Sequence, residues 1–258
     1  MAHAHDHDFF VPKNNIWPPL TCLGVALLAF AFITWRHFSD LGAQILLVAG
    51  VLVLGFSMVQ LFRTIIDEAR QRGDNVPAVL DLGTRYGMIF FIASEVMFFS
   101  AFFAAYFYLS LFNPAWPPAN IEVLPLDLPV INTLLLLTSG ATITFAHHAL
   151  LENNRSKATF YTFLTWQLGV LFLMAQAYEY AHAPFSISDG VYGTLFFMLT
   201  GFHGMHVLVG TIMLMVAHNR LAKGDFTPKN HFYYEATAWY WHFVDVVWVG
   251  LFIFVYLM

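Results

Sequence analysis

Glu95 is the residue of this sequence whose type and position most call for a chemical explanation. It lies in the apolar stretch FIASEVMFFSAFF, where the neighbours three and four positions away are phenylalanine or isoleucine. An ionisable group at membrane depth is energetically costly unless another group pairs with it or it has a functional role. Glu95 is therefore either a proton-relay carboxyl or a protonated acid that hydrogen-bonds to a neighbouring helix. A relay requires a second group, and none is visible within this stretch. The sequence therefore favours the second interpretation.

Five histidines in apolar surroundings form a second group of candidates. They are His147, His148, His203, His206 and His242. His203 and His206 are three residues apart and share a helix face, so they could ligate one metal ion. Haem ligation by His203 or His242 is another alternative. Hydrogen bonding between helices is favoured over both, because the repeated histidine boxes of membrane di-iron hydroxylases are absent.

Three further acids lie within apolar stretches. Asp245 is three residues after His242 and could pair with it on one helix. Glu235 lies one turn inside the cytoplasmic end of the last segment, and Glu179 lies near the outer end of the fifth. We expect these side chains to tie helices together or to contact a partner subunit.

Seven long apolar segments must position these groups. They are residues 16–36, 41–66, 85–112, 128–151, 158–183, 192–217 and 232–257. Each reaches or exceeds the ~20 residues needed to cross a bilayer core. Glycines at 201, 204 and 210 would let the sixth segment pack closely against its neighbours. The sequence therefore predicts an all-α polytopic membrane protein with seven transmembrane helices.

The basic residues between the segments predict an orientation. All 11 lysines and arginines except Arg36 fall in the N-terminal tail and in the second, fourth and sixth connections, which lie on one side. By the positive-inside rule the N-terminus is cytoplasmic and the C-terminus is outside. Arg63, Arg70, Arg85 and Arg220 would then lie at headgroup depth, where guanidinium groups bind lipid phosphates; the alternative is that they only determine topology.

The segments are expected to form a single membrane domain over residues 1–258. Residues 16–66 form a two-helix hairpin with a tight turn at 37–40, residues 67–84 a polar cytoplasmic connection, and residues 85–258 a five-helix bundle. The chain is 59% hydrophobic and 10% charged, which leaves no stretch for a separate soluble domain. The single cysteine, Cys22, excludes an internal disulfide. Tail residues His3, His5 and His7 resemble a weak metal-binding tract, although a solvated tail is favoured.

Four motifs, in this order, resemble subunit III of cytochrome c oxidase. They are TRYGMIFFIASEVMFF, LPVINTLLLLTSGATITFAHHAL, QAYEYAHAPFSISDGVYGTLFFMLTGFHGMHV and EATAWYWHFVDVVW. The similarity runs from about Trp17 to the C-terminus. The length and the organisation into two helices plus five match the seven-helix form of this haem-copper oxidase family.

The resemblance implies an accessory subunit with no catalytic centre and no cofactor of its own. Haem and copper would lie in the partner subunits, among them oxidase subunits I and II, and no nucleic-acid partner is expected. The subunit would support proton uptake and turnover stability in a bacterial inner membrane. The family's reactive membrane carboxyl falls on Glu95, and its phosphate-binding positions fall on Arg63, Glu68 and Arg220. Phospholipid is expected in a cleft between helices 1–2 and helices 3–7.

A second hypothesis, from a different class, is a stand-alone membrane enzyme or proton-coupled transporter that uses Glu95 and the histidines. Redox spectra of the isolated chain distinguish the two hypotheses, as does co-purification with a haem-bearing partner.

Overall fold

The computed structural model describes residues 14–37, 40–113, 115–118, 121 and 124–258, so the tail histidines and residues 38–39 of the first turn lie outside it. Seven helices in the described residues are long and apolar enough to cross a membrane, which confirms the predicted fold class. They are α1 (Trp17–His37), α2 (Asp40–Arg72), α3 (Ala78–Phe112), α4 (Asp127–Leu151), α5 (Arg155–His182), α6 (Gly190–Lys223) and α7 (Phe232–Leu251). The chain continues from α7 as a π-helix, Phe252–Tyr256.

The second and third helices extend well beyond the apolar segments that predict them. α2 runs on to Arg72 and ends where Gly73 takes a positive φ of 56°. α3 begins at Ala78 and has Asp81 in its first turn. Basic residues in the last turn of α2 and an acid in the first turn of α3 both complement the helix dipole. Most of the polar connection expected at 67–84 is therefore helical.

The chain divides into two compact units, one up to Leu80 and one from Asp81 onward. In the first unit α1 and α2 pack as an antiparallel hairpin. A Cβ atom at Gly24 would lie 2.7 Å from the Cα of Leu54, so the two backbones touch where only glycine fits. The hydroxyl of Thr21 also donates to Ser57 Oγ at 3.2 Å. Small residues and hydroxyls are the usual means of close helix packing in membranes.

The second unit is organised around two tryptophans of α7. The indole N–H of Trp241 donates to Ser139 Oγ at 2.8 Å, and that of Trp248 donates to Thr133 Oγ1 at 3.0 Å. Both side chains are fully buried and both acceptors belong to α4. Burying an indole requires a partner for its N–H, so these bonds fix α7 against α4.

Glycines make room for the Trp241 ring between α5 and α6. A Cβ atom at Gly169 would lie 2.7 Å from Trp241 Cη2, and one at Gly210 would lie 2.8 Å from Trp241 Cε3. Two other glycines of α6, Gly201 and Gly204, differ from the expectation of close packing. Gly201 has only the Tyr180 hydroxyl at 3.7 Å, and a Cβ at Gly204 would meet nothing within 4 Å.

Large aromatic side chains hold α3 against α6 and α7. The rings of Phe98 and Phe202 lie 5.1 Å apart, and those of Phe91 and Tyr240 lie 6.2 Å apart. Aromatic pairs at these distances pack favourably. They surround the middle of α3, where Glu95 lies.

Candidate functional site

Glu95 and His206 form a direct pair in the second unit. Glu95 lies at the midpoint of α3 and His206 at the midpoint of α6, and Glu95 Oε2 is 2.9 Å from His206 Nε2. The side chains are 22% and 9% exposed. α6 therefore supplies the second ionisable group that a proton relay would require and that α3 itself lacks.

The second nitrogen of the imidazole determines how this pair holds its proton. His206 Nδ1 is 2.7 Å from the carbonyl oxygen of Phe202. A carbonyl only accepts, so Nδ1 carries a hydrogen and donates it. Nε2 then either accepts from a protonated Glu95 or, in the imidazolium form, donates to the Glu95 carboxylate. In both forms the pair shares one proton on the Nε2–Oε2 line and is neutral as a whole.

Aromatic rings enclose the pair. The His206 ring lies 4.9 Å from that of Phe99 and 6.4 Å from those of Tyr240 and Phe243. The short Glu95–His206 contact therefore lies among aromatic rings, where a low local dielectric strengthens a hydrogen bond.

His203 has a different partner, although it shares the helix with His206. Its Nε2 donates to the carbonyl oxygen of Val244 on α7 at 3.2 Å, and its ring lies 5.1 Å from that of Trp248. The two histidines thus face different neighbours rather than a common ligand. Within the described residues no three metal-binding side chains are grouped together.

The adjacent histidines at the end of α4 also have separate surroundings. His147 is half-buried, and its ring lies 5.4 Å from that of His231 and 6.0 Å from that of Tyr234. His148 is exposed. This follows from the turn of about 100° between consecutive residues of a helix.

His242 and Asp245 lie on the same part of α7, but their contact is long. His242 Nδ1 is 3.8 Å from Asp245 Oδ2, which is beyond a hydrogen bond. His242 Nε2 is 3.3 Å from Thr144 Oγ1 on α4. Asp245 is buried against α4, where a Cβ atom at Gly140 would overlap its carboxylate.

Glu179 is buried near the end of α5 and is bound by the π-helix. The hydroxyl of Tyr256 donates to Glu179 Oε1 at 2.6 Å. Both residues lie under the packed ends of the helices, at 3% and 9% exposure. This carboxyl therefore ties the chain's last helical turn to α5.

Arg85 and Glu235 join α3 to α7 near the opposite end of the bundle. Arg85 Nη1 donates to Glu235 Oε2 at 2.7 Å, and Arg85 Nε donates to Asp81 Oδ2 at 3.0 Å. The guanidinium also lies over the ring of Phe232, 5.5 Å from its centroid. This predicted headgroup ligand is thus engaged within the protein.

Arg220 is held still more closely. It is 8% exposed, and its Nε donates to Asp225 Oδ2 at 3.3 Å. The guanidinium lies 4.6 Å from the ring centroid of Phe226 and 5.1 Å from that of Tyr233. An arginine in this setting braces the end of α6 against the start of α7.

Arg63, Glu68 and Arg70 lie on the last turns of α2, in the first unit. Arg63 and Arg70 are exposed, and Arg70 Nη1 is 3.6 Å from Asp67 Oδ1. Glu68 lines a groove of about 350 Å³ between the start of α1 and the end of α2. The groove is lined by Asn14, Asn15, Ile16, Trp17, Thr64, Asp67, Glu68 and Gln71.

The sequence matches the family model of "Cytochrome c oxidase subunit III" over residues 7–258. The chain belongs to the cytochrome c oxidase subunit III family. A protein named "Cytochrome c oxidase subunit 3" from Aepyceros melampus is 45% identical over 262 residues, covering 99% of this chain and 98% of the relative. A relative of the same name from Paracentrotus lividus is 43% identical over 259 residues, with 98% of each chain covered. The resemblance inferred from the four motifs is confirmed.

Two features of this subunit III chain were not anticipated from its sequence. One is the pairing of Glu95 with His206, for which the only sequence signal is that both lie midway along a long apolar segment. The other is the bond from Tyr256 to Glu179, which depends on the π-helix at the end of α7. Both carboxyls were candidates, but neither partner could be read from spacing along one helix.

Proposed function

We propose that this chain is a cofactor-free accessory subunit of a haem-copper cytochrome c oxidase, and that it supports proton uptake and turnover stability of the catalytic subunit. Haem and copper belong to the partner subunits, including subunits I and II. The observation that best supports a role without redox chemistry is the engagement of the central histidines. Both nitrogens of His206 are bound by Phe202 and Glu95, and His203 Nε2 is bound by Val244.

Support for proton uptake follows from where charge lies in the chain. Nearly all of its basic residues fall on the side assigned to the cytoplasm. Fixed charges beside a proton-conducting opening alter the local electrostatic potential and the arrangement of water. Interhelical bonds such as Arg85–Glu235 keep this face ordered, so the subunit acts on the catalytic partner through local potential and bracing.

Removal of the chain from the purified oxidase tests this proposal. We expect the depleted enzyme to keep electron transfer from cytochrome c to haem. Its oxygen consumption should decline at lower pH than that of the intact enzyme, and it should lose activity after fewer turnovers. Oxygen consumption is measured against pH, and activity against turnover number, with the reconstituted complex as control. A depleted enzyme whose haem is no longer reduced would disprove the accessory role, and superposed curves would disprove the role in proton supply.

We also propose that the end of α2 binds a phospholipid headgroup. Two arginines flank two carboxylates there, in the order Arg63, Asp67, Glu68 and Arg70, a pattern that suits a zwitterionic headgroup with its phosphate and its ammonium. The groove at the start of α1, which has Asp67 and Glu68 among its lining residues, offers room for the ammonium. Arg220 is the weaker candidate, because its guanidinium is bound to Asp225 and packed between rings.

Substitution of Arg63 tests the headgroup site. In Arg63→Ala oxidase we expect less phospholipid to be retained after detergent purification and a shorter catalytic lifetime, with an unchanged initial rate. Arg36→Ala is the matched control, because Arg36 is exposed and lies at the other end of the hairpin. Lipid is counted by phosphorus analysis of the intact complex. An Arg63→Ala complex that holds as much lipid as the control would disprove the site.

A further inference from the structure

One surface of the second unit combines exposed polar side chains with exposed small and apolar ones, and we call it the α4–α7 surface. It is formed by Leu137, Ala141 and Thr144 of α4 and by Trp239, His242 and Val246 of α7. All of these side chains are exposed except that of Trp239, which is partly exposed. On each helix they are spaced by three or four residues, which is the spacing of a straight seam that contacts another helix.

Exposing polar side chains to lipid at the depth of this surface would be energetically costly. His242 lies near the middle of the helical run from Phe232 to Tyr256, about 15 Å from its start at 1.5 Å per residue. Its side chain is 46% exposed. Polar and ionisable groups at such depth almost always face protein or water rather than lipid tails.

His242 on this surface, and Asp245 buried beneath it, make few short polar contacts within the described residues. Asp245 Oδ2 is 3.8 Å from His242 Nδ1, and the buried Oδ1 of Asp245 has no hydrogen-bond partner within the parts of the chain that the structure describes. His242 Nε2 makes only a long contact of 3.3 Å with Thr144. A hydrogen-bonding group placed against the exposed imidazole would complete and order this arrangement.

We propose that the α4–α7 surface is the docking site for a transmembrane helix of another oxidase subunit, and that this helix presents a polar side chain to His242 and Thr144. The inference rests on the proposed function as an accessory subunit and names the surface through which the subunit is held. Lipid tails offer no hydrogen bond to His242. Ala141 is small enough to let a helix backbone approach, as small residues do at membrane interfaces.

Another exposed face of the same unit shows the contrast. The exposed side chains of α5 between Phe160 and Met174 are Phe160, Phe163, Leu171 and Met174. None is polar, so this face suits lipid. Leu171 therefore provides a matched control, because it is 48% exposed and lies at a similar depth in its helix.

Photo-crosslinking within the assembled oxidase tests the proposal. A benzophenone amino acid is placed at Val246, which is 70% exposed, or at Leu171 as control. We expect the probe at Val246 to link to another oxidase polypeptide, identified by mass spectrometry. A product only with lipid, with residues of this chain, or with a second copy of it would overturn the inference. If the wild-type chain failed to co-purify with haem, the proposed function would fail first.

A second variant tests the same surface without a probe. Ala141→Trp should block close approach and leave about tenfold less of the chain in the purified complex, and Leu171→Trp should leave retention unchanged. Both positions are exposed, so the added ring does not enter the chain's own core. Equal retention of the two variants would contradict the docking site.

Discussion

Because Glu95 and His206 share one proton, the effects of substitutions at Glu95 on assembly and turnover can be predicted. Glutamine can donate its amide N–H to His206 Nε2, so Glu95→Gln should assemble normally and keep its oxygen-reducing turnover. Leucine leaves Nε2 without a partner, and an unsatisfied polar group costs about 1–3 kcal/mol. Glu95→Leu should therefore lower the temperature at which the complex dissociates.

Thermal dissociation and oxygen consumption of the assembled enzyme check this prediction, with Glu152→Gln as control because Glu152 is exposed at the α4–α5 corner. If Glu95→Gln assembled normally but its turnover fell to background, the carboxyl would be a relay in its own right. The isosteric amide keeps the hydrogen bond and removes only the transferable proton. Glu95→Gln therefore distinguishes a structural role of the carboxyl from a role as a proton relay.

At the scale of single residues, the sequence predicts which side chains matter better than it predicts their partners. A carboxyl amid phenylalanines is conspicuous, as Glu95 shows. Its partner depends on the rotation and depth of α6, which no spacing within α3 encodes. Arg220 illustrates the same limit: its position predicted a headgroup ligand, but Asp225 and two aromatic rings surround the guanidinium.

Between elements, close packing of α5, α6 and α7 depends on glycines that touch Trp241. An alanine at Gly169 would place its Cβ 2.7 Å from the ring and 2.8 Å from Thr211 Oγ1. Overpacking of this kind costs about 1–3 kcal/mol. We expect Gly169→Ala to lower the thermal stability of the complex, measured by the loss of helical circular dichroism on heating.

Gly204→Ala is the matched control for that substitution, since a Cβ there meets nothing within 4 Å. Equal losses in the two variants would show that helix flexibility, rather than contact with Trp241, governs the effect.

The contrast between Gly169 and Gly204 also shows what hydropathy leaves undetermined. Apolar length predicts each helix well, because crossing a bilayer requires about 20 apolar residues. Which glycine is in contact depends on packing angles between helices.

For the whole molecule, an odd number of crossings places the two termini on opposite sides of the membrane. With the basic residues on the cytoplasmic side, we expect the N-terminus inside and the C-terminus outside a bacterial cell membrane. A protease site added at the N-terminus should be cut only in inverted vesicles, and one added at the C-terminus only in right-side-out vesicles. Cleavage of both sites in one type of vesicle would require an even number of crossings.

Because of the π-helix at Phe252–Tyr256, the direction of the Tyr256 side chain depends on the number of residues in this turn. Its wider turn, closed by the N–H of Leu257 on the carbonyl of Phe252 at 3.2 Å, holds one residue more than an α-helical turn would. If these residues rewound as α-helix, the turn would no longer hold the additional residue, and every later side chain would rotate by about 100°. Tyr256 would then turn away from Glu179, whereas rewinding combined with deletion of one residue, such as Ile253, would keep Tyr256 facing Glu179.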